Sequence, residues 1–68
     1  MELNIGESLK QHREQRNLTI TQLAKQTGIS RQNLTRWEEN LVVPNALFCV
    51  KLAQFYDISI DELLGIKL

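Results

Sequence analysis

Several familiar ways of building or using a small protein are closed to this chain. A single cysteine rules out an internal disulfide and any cysteine-based zinc site, and one histidine leaves metal chemistry almost without ligands. One proline and three glycines in 68 residues leave little room for long loops or sheet turns. No apolar run approaches the roughly 18 residues that cross a bilayer. The N-terminal MELNIGESLK lacks the apolar segment of a signal peptide, so a cytoplasmic protein is expected. No nucleophile–base arrangement and no glycine-rich phosphate loop can be found. Glu38 and Glu39 are adjacent carboxylates, but helix neighbours point about 100° apart, so they form no acid–base pair. The expectation is a protein without enzymatic activity, cofactor or metal. Net charge is also missing, with eight basic residues against eight acidic.

What is present is enough for one small domain spanning residues 1–68, without repeats or internal boundaries. Hydrophobic residues make up 43% of the chain, sufficient for a core. The pattern predicts five short helices. Asn4 with Glu7 opens the first, which places Ile5 and Leu9 on one face with Arg13 a turn further, and Asn17 closes it. Thr19 and Gln22 form a Thr-x-x-Gln capping box for the second, with Leu23 and Ala24 inward and Gly28 as a left-handed stop. Ile29 is the apolar turn residue. Ser30 caps the third helix, whose inward positions are Leu34 and Trp37. Asn40 is again a left-handed candidate, and Leu41 to Pro44 is a linker, because the residue before proline is pushed out of the helical region. Asn45 caps a fourth helix to Tyr56 with Ala46, Cys49, Leu52, Ala53 and Tyr56 inward. Ser59 and Glu62 form a second capping box for a fifth helix ending near Gly65.

Two short helices joined by a turn of three or four residues containing glycine, within residues 19–38, have the spacing of a helix-turn-helix. The outward face of the second of these helices carries Arg31, Gln32, Thr35 and Arg36. Arg and Gln each bond two base-edge groups at once, on guanine and adenine respectively, so this face suits DNA, although a solvated helix surface uses the same residues. The charges are unevenly distributed. Residues 9–37 hold six basic side chains against Glu14 alone, giving +5, and the remainder holds two against seven, giving −5. His12 reads as a surface residue and Cys49 as a small core hydrophobe.

The segments IGESLKQHREQRNLT, QLAKQTGISRQNLTRWE and VPNALFCVKLAQFYDISIDELLG together resemble the phage-repressor and Cro type of helix-turn-helix domain over about residues 4–65. The resemblance implies an all-α, lambda-repressor-like bundle of five helices. It also implies a sequence-specific bacterial or phage regulator, typically a repressor, that binds a palindromic operator as a dimer. Arg31, Gln32 and Arg36 match positions that reach base edges, with Asn33 beside them. Phosphate contacts fall to Thr19, Thr21, Gln22, Ser30, Thr35 and Asn40, while Arg13 and Glu38 match an ion pair between helices one and three.

The sequence departs from that pattern in a few places. Ile20 stands where such domains usually offer a phosphate-binding Gln, and Glu39-Asn40-Leu41-Val42 replaces a basic loop. Asn17 and Asp57 replace glycines, at a small cost in backbone strain. These features support the alternative of a helical protein–protein interaction module that kept the fold and lost DNA. Leu41, Val42, Leu47, Phe48 and Phe55, with Ile66 and Leu68 as extensions, form the apolar surface expected to join two copies.

Overall fold

The computed structural model describes residues 3–66. Its elements are α1 (Ile5–Gln15), α2 (Ile20–Thr27), α3 (Arg31–Glu38), α4 (Ala46–Tyr56) and α5 (Ile60–Leu64), and the described residues contain no strand. Each helix starts on a side-chain oxygen. Asn4, Thr19, Ser30, Asn45 and Ser59 accept from the backbone N–H three residues on, at 3.0–3.1 Å. At Thr19 the box is complete, because the Gln22 side chain accepts the Thr19 N–H at 2.9 Å. At Ser59 only the hydroxyl half of the expected box is formed among the described residues.

Each helix also stops at a residue with positive φ: Asn17, Gly28, Asn40, Asp57 and Gly65, at 57°, 75°, 59°, 57° and 74°. Four of these stops are closed by a backbone bond reaching five residues back, from Leu18, Leu41, Ile58 and Ile66, which satisfies carbonyls that a helix end leaves open. Side-chain caps and short carbonyl-satisfying turns are why such brief helices hold their boundaries.

The core comprises Leu9, Leu23, Ile29, Leu34, Trp37, Cys49, Leu52, Ala53, Tyr56 and Leu63. On α4 the expected inward face is buried except at Ala46, which is exposed because it occupies the first helical position, at the rim of the bundle. Phe48 also departs from expectation. It is half-buried, with its ring 5.0 Å from that of Trp37, so it belongs to the packing rather than to a free surface. Burial in this apolar setting raises the pKa of the Cys49 thiol, and the group is a weak donor to the Pro44 carbonyl.

The bundle is fastened to α1 at three places. At its start, Gly6 lies so close to α3 that a Cβ would fall 2.7 Å from the Trp37 carbonyl oxygen and closer still to that of Glu38. Asn40 then caps α1: its Oδ1 accepts the Gly6 N–H at 3.0 Å and its Nδ2 donates to Asn4 Oδ1 at 2.9 Å. The positive end of one helix thus abuts the negative end of another. In its middle, Ser8 Oγ donates to the Leu63 carbonyl and His12 Nε2–H to that of Glu62, so His12 ties α1 to α5 instead of standing free. At its end, the Arg16 guanidinium lies 4.2 Å from the centre of the Tyr56 ring and donates to the His12 carbonyl.

Candidate nucleic-acid interface

The angle between α2 and α3 is set by groups on the inner side of the turn. Buried Thr27 donates its hydroxyl to the Leu23 carbonyl at 2.7 Å and accepts the Ile29 N–H at 3.2 Å. Gly28 is left-handed and Ile29 lies in the core, so the turn is anchored at three consecutive residues. Arg13 supplies the second constraint. Its Nε and one terminal nitrogen donate to the two Glu38 carboxylate oxygens at 2.7 and 2.9 Å, and the other terminal nitrogen donates to the Leu18 carbonyl at 2.8 Å. The side chains are 11% and 8% exposed. The Glu38 hydrogen bond pushes the Arg13 pKa above its ordinary value, although burial opposes it. One guanidinium therefore joins α1, the α1–α2 connection and the last turn of α3.

Held in this way, α3 turns Arg31, Gln32 and Arg36 fully outward, with Asn33 and Thr35 half-buried beside them. Between this face and the start of α2 lies an open groove of about 570 Å³, lined by Ile20, Thr21, Arg31, Gln32, Thr35 and Arg36. Arg31 spans it loosely, 3.4 Å from the Thr21 hydroxyl. A neighbouring hollow of about 240 Å³ brings Lys10 to the same edge, with Glu39 on its rim. The groove offers the bidentate donors Arg31, Gln32 and Arg36 and the hydroxyls of Thr21 and Thr35 on one side, with the buried Arg13–Glu38 pair behind.

A family profile described as helix-turn-helix matches residues 9–63, which include the groove and the turn that sets it. The chain belongs to this helix-turn-helix family. Its relatives are transcriptional regulators rather than enzymes. The HTH-type transcriptional activator BcrR of Enterococcus faecalis is 41% identical over 63 residues, covering 93% of this chain and 31% of the relative. The HTH-type transcriptional regulator SinR of Bacillus subtilis is 31% identical over 64 residues, covering 93% and 58%. An uncharacterised HTH-type transcriptional regulator of Methanocaldococcus jannaschii is 34% identical over 55 residues, covering 81% and 83%. The chain thus spans about a third to a little over a half of the first two regulators. No solved structure gives a significant match. At the level of the domain this is a DNA-binding module of the transcription-regulator kind, folded as the all-helical bundle described above.

The structure also sorts the anticipated contact residues. Ser30, Thr19 and Thr21 are exposed near the groove, and Gln22 is exposed but has committed its carbonyl oxygen to the Thr19 cap, leaving its amide hydrogens. Asn40, expected at phosphate, has both polar atoms of its side chain engaged at the start of α1. Arg16 lies against Tyr56 and does not line the groove. Of the anticipated apolar surface, Leu41, Val42, Leu47 and Phe55 are 69, 50, 80 and 37% exposed; Val43, at 69%, joins them unanticipated. Ile66 is half-buried, and Leu68 lies outside the described residues. No helix among the described residues is long and apolar enough to cross a membrane.

Proposed function

We propose that this domain reads a specific DNA sequence in the major groove, as one half of a homodimer on a palindromic operator, and that occupancy represses the promoter it covers. The observation that carries this reading is the outward triplet Arg31, Gln32 and Arg36 on a short helix whose orientation is locked from behind by Arg13–Glu38. Arg suits the O6 and N7 of guanine, and Gln the N6 and N7 of adenine, each in a two-bond geometry. Asn33, beside them, is a lesser base contact. Ser30, Thr35, Thr19, Thr21 and the free amide of Gln22 serve the phosphates on either side. Glu39 on the rim and the uncharged loop after α3 weaken attraction to the backbone, so specific binding depends more on base contacts than in a more basic domain.

One recognition helix covers only a few base pairs, too few to select a site in a genome, hence the second copy. The surface for it runs along the exposed segment Leu41–Val43 and Leu47, with Phe55 at its margin. The protein acts on DNA in the cytoplasm of a bacterium or as a phage product, and no catalytic step or cofactor enters the proposal. BcrR is named an activator, which makes activation the alternative outcome; a promoter fused to a reporter decides the sign.

The first test is selection from random-sequence duplex DNA. Enrichment of one motif with two-fold symmetry is expected, with half-site centres about one helical turn apart. Retention of no duplex at any salt concentration would favour the interaction-module alternative, and equal retention of all sequences would refute specific reading.

A further inference from the structure

The groove contains one side chain that base and phosphate bonding leave unexplained. Thr21, Arg31, Gln32, Thr35 and Arg36 all carry donors; Ile20 is pure hydrocarbon. It occupies the first position of α2 and is half-buried, with part of its side chain against the core. The remainder faces both the main groove and the neighbouring hollow that holds Lys10 and Glu39, so it forms the ridge between two polar concavities. Its neighbour Thr21 receives the Arg31 guanidinium across the groove, which puts the start of α2 on the same surface as the base-reading face of α3.

A hydrocarbon tip among donors gains nothing from a phosphate, and it gains nothing from most base edges, which present only donors and acceptors in the major groove. The exception is thymine, whose C5-methyl group is the apolar feature there. We propose that Ile20 is a specificity-determining residue that selects thymine, by covering its C5-methyl group at the edge of the bases read by Arg31 and Gln32. The proposal rests on the base-reading function above and adds a residue of α2 to the readout of α3. Methyl recognition also fits the weak cationic character of the site, because it discriminates sequences without adding attraction to the backbone.

The test removes the methyl from the DNA instead of from the protein. Duplexes selected from the random library by the wild-type chain are resynthesised with each thymine replaced singly by deoxyuridine, which keeps the pairing and O4 but lacks the methyl. Burial of one methyl group predicts an affinity loss of about fourfold at one thymine in each half-site. Ile20→Ser leaves no γ-methyl to meet the thymine; its folding is checked by circular dichroism. At that position Ile20→Ser should bind thymine and deoxyuridine duplexes equally. Wild-type affinity indifferent to every deoxyuridine would overturn the assignment, as would a sensitive position unchanged in folded Ile20→Ser. Either result would leave the selected duplexes, and hence base reading itself, in place. Failure to select any duplex is a separate outcome and would overturn the base-reading proposal together with this one.

Discussion

Glu38→Ala removes the carboxylate that is hydrogen-bonded to Arg13. The guanidinium is only 11% exposed and would keep just its bond to the Leu18 carbonyl. Two charge-assisted hydrogen bonds at 2.7 and 2.9 Å disappear, and among the described residues no second carboxylate is bonded to the cation. Breaking one side of a buried pair typically costs 3–5 kcal/mol, and the residual exposure and the retained Leu18 bond favour the lower end, about 3 kcal/mol. A domain of this size holds only about 3–10 kcal/mol in total, and each kcal/mol moves its melting temperature by about 4–8 °C. The variant should therefore melt about 12–24 °C lower or be unfolded at room temperature. The double variant Arg13→Met/Glu38→Met should recover most of the loss, because apolar groups of similar length need no partner. Urea denaturation followed by circular dichroism measures both. A loss below about 0.5 kcal/mol in Glu38→Ala would refute the claim that this pair sets the pose of α3, since it would then behave as an exposed ion pair.

Three further outcomes follow from particular contacts. Gly6→Ala would drive a methyl group into the Trp37 and Glu38 carbonyls, so α1 and α3 must separate; a loss of about 1–3 kcal/mol by urea denaturation is expected despite alanine's better helix propensity. Tyr56 has a buried hydroxyl with no hydrogen-bond partner among the described residues, and burial raises its pKa, so Tyr56→Phe should be neutral or stabilising by up to about 1 kcal/mol in the same assay. Leu47→Glu, at a side chain 80% exposed, should leave the melting curve unchanged while lowering the sedimentation-derived mass of a dimer at micromolar concentration. Phe48→Glu could not make that distinction, because Phe48 packs on Trp37.

The helix boundaries were legible because capping is local. A hydroxyl or amide three residues ahead of a backbone N–H, and an Asn, Asp or Gly that accepts left-handed geometry, leave marks within one turn of sequence. The outward triplet on α3 was legible for the same reason, through helical spacing from Leu34 and Trp37. Contacts between distant segments left weaker signs. Gly6 inside a helix costs about 1 kcal/mol against alanine, a hint of close approach that gains meaning only once α3 is beside it. Thr27, one position before the stop at Gly28, gave no sign that its hydroxyl would hold the turn from inside. Asn40 was recognised as a helix stop, but its amide serves a helix 34 residues earlier, which no periodicity encodes. His12 looked like a surface residue because its partner, the Glu62 carbonyl, is supplied by α5.

Base reading by α3 is tested most directly by comparing Gln32→Ala with Lys25→Ala on the selected duplex and on random duplex DNA of the same length, by fluorescence anisotropy across a range of salt. Both side chains are exposed, and neither is a member of the core, so the fold is held constant. Gln32→Ala should cost about 1–3 kcal/mol on the selected duplex, relax preference at one base pair, and leave random DNA unaffected. Lys25→Ala should change affinity for both duplexes by the same factor, because it carries charge and no base-edge contact. Equal losses on selected and random DNA for Gln32→Ala would contradict base reading by α3.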